Sequence, residues 1–254
     1  MNLVFASGFL LPQQLPGIDY FRGLEAHFRG RHETLFPKVS PLGSVEKRAN
    51  ELADAIRQRF PSGAIHIIAH SMGGLDSRFL IGRNIHRLSD PGRIASLTTL
   101  ATPHRGSPVA DLLAGPRPED ARRQIYDTIS QSIGLLGLNT GAIGNLTTAN
   151  ATSVPNAAQT HPHIRYRSYF AAGRSGTLPT SFALTLTHHY VKSVTGQEND
   201  GVVALESARY GDLQMPFWQC DHLDMVGHNL DDILNLGRSQ FDHLAHFDAI
   251  VKQL

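Results

Sequence analysis

Apolar and polar positions along this chain follow two alternating rhythms. Short strand-like runs, apolar from Leu3 to Ala6 and Ala64 to Ala69 and mixed with Ser96, Thr98 and Thr99 from Ile94 to Leu100, each end at a turn rich in glycine, serine or proline. Only His66 interrupts the second run, which is the pattern of a strand covered on both faces. Between the runs, "SVEKRANELADAIRQRF" places Val45, Ala49, Leu52, Ala53, Ile56 and Phe60 at spacings of three and four. That predicts a helix with one apolar face, and Ser44 supplies its N-cap. After Ala69 the period turns helical again, with Met72, Leu75, Phe79 and Leu80 as its buried side. A strand is expected from Ile164 to Gly173, another at "QMPFWQ", and a last helix from Gly237 to Leu254 carrying Phe241, Leu244, Phe247, Val251 and Leu254 roughly on one side. Strand and helix in alternation predict an α/β fold, a mostly parallel central sheet flanked by helices.

One stretch breaks the alternation. Residues 107–160 contain no convincing strand; instead Ile125, Ile129 and Ile133 recur every fourth position, followed by glycines and the polar tract "NLTTANATSVPN". This helical excursion reads as a cap or lid, or equally as an inserted surface helix with no gating role. The expected organisation is a single domain, 1–254, with 107–160 as a lid region within it.

Composition narrows the classes. A net charge of +1 with no basic block argues against a nucleic-acid partner. The single cysteine, Cys220, leaves no intrachain disulfide, so the fold stands on packing. The N-terminal "MNLVFASGFLLP" has no basic region before its apolar part, which is too short to span a bilayer. Either the protein is cytoplasmic or exported without a leader, or a leader is absent from this chain.

Chemistry concentrates where the second strand stops. "IHIIAHSMGGLDSRF" ends an apolar run on His70 and Ser71 and follows it with two glycines. Strand, then x-His-Ser-x-Gly-Gly, then helix is the layout of a nucleophile elbow, in which the positions two before and two after the serine must be small. Here they are Ala69 and Gly73. The N–H of Met72, at a helix N-terminus, faces a developing oxyanion in such a turn. A serine hydroxyl needs a base, and on this architecture the order is serine, acid, histidine. Downstream, "NDG" offers Asp200, and "CDHLDMVGH" offers His222 flanked by Asp221 and Asp224. Each segment alone reads as a turn or a surface loop; in order, Ser71, Asp200 and His222 read as a triad.

With these residues in view, the chain resembles the bacterial true lipases of the Pseudomonas, Burkholderia and Proteus type within the α/β-hydrolases, and is most similar to the Proteus-like branch. The resemblance is densest at "AHSMGG", "NDGVV" and "DHLDMV", and continues through "YFRGLEAHF", "GSPVADLL" and the terminal "VKQL". It implies an α/β-hydrolase fold and a serine ester hydrolase, most simply a lipase acting on acylglycerol esters, with a lipid or ester substrate met at an oil–water interface. It assigns Ser71 as nucleophile, Asp200 as the acid and His222 as the base. The first oxyanion donor follows the first strand in a His-Gly-x segment; this chain reads Ser7-Gly8-Phe9, so the Phe9 N–H matches the donor and the preceding histidine is lost. Met72 N–H is the second.

The resemblance also implies a calcium site that steadies the histidine loop. Asp224 matches one ligand, His228 stands where a glutamine is usual, and "LPTSFALTLTHHY" has no acid near residue 181. A hard cation wants several oxygens, so the expectation is that no cofactor is required and that packing or hydrogen bonds hold the loop. His188, His189 and His228 lack zinc-ligand spacing and read as surface histidines. Phe9, Leu10, Leu11, Met72 and the isoleucines of 107–160 read either as the lining of an acyl pocket or, as apolar residues near a site more often are, simply as core. Rival readings are a carboxylesterase or polyester depolymerase of shorter esters, and a silent α/β-hydrolase domain that binds a small molecule.

Overall fold

The computed structural model describes residues 1–9, 19–135, 143–173, 184–228 and 241–254, side chains of 131–135 excepted. Six parallel strands form one sheet in the order β2-β1-β3-β4-β5-β6: β1 Asn2–Ala6, β2 Glu33–Leu35, β3 Ile65–His70, β4 Ile94–Leu100, β5 Arg165–Tyr169 and β6 Leu213–Gln214. The helices are α1 Leu24–Phe28, α2 Val45–Arg59, α3 Met72–Gly82, α4 Pro108–Ala114, α5 Arg122–Leu135, α6 Thr148–Ala151, α7 Ala157–Thr160, α8 Thr185–Thr195, α9 Leu205–Ala208 and α10 His243–Val251. Parallel strands need crossovers, and helices supply them on both faces.

The pleat decides which side chain meets which helix layer. Val4, Ala6, Ile65, Ile67 and Ala69 pack with the apolar stripe of α2, and Ser44 caps that helix by accepting the Lys47 N–H. Leu3, Phe5 and Ile68 point the other way, into the aromatic layer of α1 and α10, where the Phe5 ring stacks on Phe36 at 4.6 Å. His66 and His70 share that second face by the same period of two. His66 is satisfied there by the Ser96 hydroxyl at 2.9 Å.

Several boundaries differ from the expectation. The fifth strand is shorter than Ile164 to Gly173, and "QMPFWQ" is not a regular strand. Regular pairing stops at Gln214, because Pro216 has no N–H for the ladder; Trp218 rejoins the sheet through a single bridge to Ala171. The three-residue β2 has no alternation long enough to read. The expected last helix starts only at His243, where Asp242 caps it by accepting the Ala245 N–H, and ends at Val251; Phe241 precedes it, and the expected start at Gly237 lies outside the described residues. Within 107–160 the described residues are helices and turns without a strand.

Between α2 and α3 lies a buried ion pair. Arg48, fully buried on the apolar stripe of α2, donates to Asp76 on α3 at 2.8 Å. Its other nitrogens donate to the carbonyls of Ser40, Ser7 and Gly8, so this guanidinium also ties down the loop after β1. Burial pushes the Asp76 carboxyl up to about 7 despite Arg48 beside it.

Removing Arg48 would strand a charge in the core. Arg48→Leu is expected to lower unfolding stability by about 3–5 kcal/mol at pH 8, measured by urea denaturation. The loss should shrink at pH 5. Without Arg48 the folded-state pKa of Asp76 rises further above its unfolded value, so the folded protein binds a proton there and no longer buries a charge.

Candidate active site

Ser71 occupies the turn between β3 and α3 with φ 55° and ψ −130°, a conformation a serine adopts only under constraint. Two contacts impose it. Its N–H donates to Leu100 O on β4 at 2.9 Å, and its carbonyl accepts from the Gly74 N–H at 3.0 Å. The glycines are required by space. A Cβ on Gly73 would lie 2.4 Å from Ala6 O, and one on Gly74 would lie 2.1 Å from the Thr102 hydroxyl. Strand and helix therefore approach as closely as the small residues allow.

The structure brings together the three residues picked from the sequence. Ser71 Oγ lies 3.0 Å from His222 Nε2, and His222 Nδ1 lies 2.7 Å from Asp200 Oδ2. All three are at most 7% exposed. A carboxylate only accepts, so Nδ1 carries the proton toward Asp200 and Nε2 is left as the acceptor for the serine hydroxyl. Asp200 is itself oriented. Its Oδ1 accepts the N–H groups of Val202 and Val203 at 2.9 and 2.7 Å, while Gly201 turns the chain at φ 90°. The His222 N–H in turn donates to Asp200 O at 3.0 Å.

Gly8 presses against Ser71: a Cβ there would meet Ser71 Cβ at 2.6 Å and the Tyr20 hydroxyl at 2.5 Å. Phe9, next along, lines a cavity with Ser71. Met72 begins α3, so its N–H has no partner within the helix. The cavity holds about 300 Å³ and is mostly apolar, walled by Val109, Leu113, Ile129, Ile143 and Leu146 from 107–160 and by Leu184, Val203 and Leu223 opposite. Of the lining expected from sequence, Phe9 and Ile129 take part. Met72 does not; it is fully buried in the core behind. Leu10, Leu11 and the Ile133 side chain lie outside the described residues.

The loop bearing His222 is held by its own hydrogen bonds. Asp221 Oδ1 accepts the N–H groups of Leu223 and Asp224, Asp224 Oδ2 accepts the N–H of Asp221, and His228 Nε2 donates to the carbonyls of Asp19 and Tyr20 at 2.8 and 3.0 Å. His228 thus offers a proton rather than a lone pair on that side. Among the described residues no group of three or more His, Cys, Asp or Glu is placed to hold a metal ion. Asp224 with His228 does not make the oxygen-rich set calcium needs; the segment near residue 181 lies outside the described residues. Reading His188, His189 and His228 as surface histidines fails for His188. It is only 9% exposed on the inner side of α8, where its carbonyl accepts from Asn199.

Sequence reading missed Arg48 and Tyr20. Arg48 left a signal, a charge at position i+3 from Val45 within the apolar stripe. Tyr20 left none, because its partners are remote in the chain.

Sheet order, flanking helices and a serine elbow at the end of a central strand make this an α/β-hydrolase fold. No protein-family model matches the chain. Among curated proteins it is 29% identical over 220 residues to triacylglycerol lipase 2 of Saccharomyces cerevisiae, covering 82% of this chain and 62% of the yeast protein. The chain therefore spans less than two thirds of that relative's length. It is 26% identical over 256 residues to a triacylglycerol lipase of Vibrio cholerae, covering 88% and 78% respectively. Among solved structures it is similar to the metagenomic carboxyl esterase MGS0156, with a TM-score of 0.74 at 18% identity, over 100% of this chain and 75% of that one.

Asp200→Asn keeps the shape of the acid but offers an amide to Nδ1 and favours the wrong imidazole tautomer. Covalent capture of Ser71 by a fluorophosphonate, followed by mass spectrometry, is expected to slow by about 10⁴-fold.

Proposed function

We propose that the protein is a serine carboxylic-ester hydrolase, and within that class a lipase. One observation carries the reading: a hydrogen-bonded Ser71–His222–Asp200 chain opens onto a mostly apolar cavity of about 300 Å³. A buried polar apparatus beside an apolar pocket fits a substrate with a reactive carbonyl and a hydrocarbon tail. The sequence relatives are triacylglycerol lipases and support the same reading. Within the lipases, the motifs "AHSMGG", "NDGVV" and "DHLDMV" favour the Proteus-like branch.

In the proposed mechanism Ser71 Oγ attacks the ester carbonyl as its proton passes to His222 Nε2. Negative charge on the carbonyl oxygen is received by the backbone N–H groups of Phe9 and Met72, the former in a loop held by Arg48. The imidazolium, stabilised by Asp200, then protonates the departing alcohol oxygen as the C–O bond breaks. Water repeats the sequence on the acyl-enzyme, regenerating Ser71 and releasing the acid. Val109, Leu113, Ile129, Ile143 and Leu146 wall the cavity from 107–160, and we assign this region as its lid; longer acyl chains require that wall to move, because about 300 Å³ is the small end of ligand pockets.

The test is hydrolysis of nitrophenyl esters of short, medium and long acyl chains beside a Ser71→Ala control. Activity should vanish in the control, peak at medium length and persist on emulsified long chains. Confinement to short chains would make the protein an esterase, and no Ser71-dependent turnover would make it a binder. Val109→Trp, which fills the cavity, should depress kcat/KM on medium and long chains at least tenfold more than on acetate, a difference of about 1.4 kcal/mol in the transition state. We also propose that no metal is needed: activity should be unchanged by a chelator, and loss restored by calcium would overturn this.

A further inference from the structure

Next to the nucleophile, His70 makes two buried hydrogen bonds that the mechanism above does not use. Its Nδ1 lies 2.7 Å from the Tyr20 hydroxyl, and its Nε2 lies 3.0 Å from the carbonyl oxygen of His222. His70 is fully buried, and Tyr20 and His222 are each 5% exposed. A carbonyl only accepts, so Nε2 carries the hydrogen; Nδ1 of the neutral ring then accepts from the phenol O–H. Gly8 packs against the same phenol, where a Cβ would lie 2.5 Å from the hydroxyl. One directed chain thus runs from Tyr20, through His70 at the end of β3, to the backbone of His222.

The His222 backbone is thereby pinned on both sides. Its N–H is held by Asp200 O, and its C=O is held by His70. The two imidazole rings stand 4.6 Å apart. Burial, and His222 beside it, hold the His70 pKa well below the ordinary histidine range. When His222 takes up the Ser71 proton, its neighbour is therefore an uncharged ring and not a second cation.

We propose that His70, oriented by Tyr20, is a positioning residue for the base: it sets the distance of the His222 backbone from the end of β3 and so keeps Nε2 in line with Ser71 Oγ. The proposal rests on the hydrolase reading. It differs from general stabilisation because it concerns the rate of each folded, competent molecule.

The experiment compares native protein with His70→Leu, His70→Gln and Tyr20→Phe, using Ser71→Ala as the blank. Active sites are titrated with a fluorophosphonate, and kcat and KM on a medium-chain nitrophenyl ester are expressed per titrated site. His70→Leu is expected to lower kcat per site by about 10²-fold with KM within about twofold, the scale of an ångström-sized misplacement. His70→Gln, whose amide can still donate to the His222 carbonyl, should recover most of that loss. Tyr20→Phe should cost roughly tenfold, because it leaves Nδ1 buried without a donor. Native kcat per site in His70→Leu or Tyr20→Phe, with only fewer titratable molecules, would reduce the role to folding and overturn the proposal. If His70→Leu does not fold, Tyr20→Phe decides alone by the same criterion. Failure of the native chain to be captured at Ser71 would overturn the hydrolase reading, and this inference with it.

Discussion

The constraint on which the site depends is the clearance at the end of β3. A serine at φ 55° has to be forced, and here it is held by its hydrogen bonds to Leu100 O and from the Gly74 N–H while α3 lies close against the backbone of Ala6 and Ser7. Gly73 and Gly74 are the means. With any larger side chain the helix would be lifted off the sheet and Ser71 would relax toward an ordinary helix cap. Strain in the turn is offset by close packing of the central strands, where the side chains of Ile65, Ile67, Ile68 and Ala69 are fully buried.

From that fixed point the other groups are placed by topology. β3 lies between β1 and β4, so the loop after β1 and the turn after β4 both reach the serine from adjacent strands. Asp200 and His222 arrive on loops, and loops are imprecise unless tied. Here each is tied by its own backbone: Asp200 by two N–H donors in its turn, and His222 by bonds to Asp200 and His70. Arg48 performs the same service for the Ser7–Gly8 carbonyls at the cost of burying a charge, which Asp76 compensates.

Much of this was legible in the sequence for a physical reason. β3, α2, β4 and the elbow are governed by local period and by residue size, which a linear reading can see. The serine, acid and histidine were found by their order and flanking glycines, and the structure places them within hydrogen-bond distance of one another. What stayed hidden depends on contacts between distant segments: the short edge strand β2, the early end of β6 at Pro216, the burial of His188 and the use of Tyr20. The surroundings of Ser7, where the resemblance implies a histidine, are of the same remote kind. Ser7 is 3% exposed there, its carbonyl taken by Arg48, and the loop is held from the inside by that guanidinium.

One wall of the cavity has a separate consequence. Val109, Leu113, Ile129 and Ile143 all come from the stretch of chain between β4 and β5, whereas Ser71, Asp200 and His222 lie outside it. One wall of the cavity and the hydrogen-bonded trio are therefore separable in inheritance, while Phe9, Leu184, Val203 and Leu223 complete the lining from elsewhere. Mutations accumulating in that stretch can reshape one side of the chamber while Ser71, His222 and Asp200 keep their hydrogen bonds.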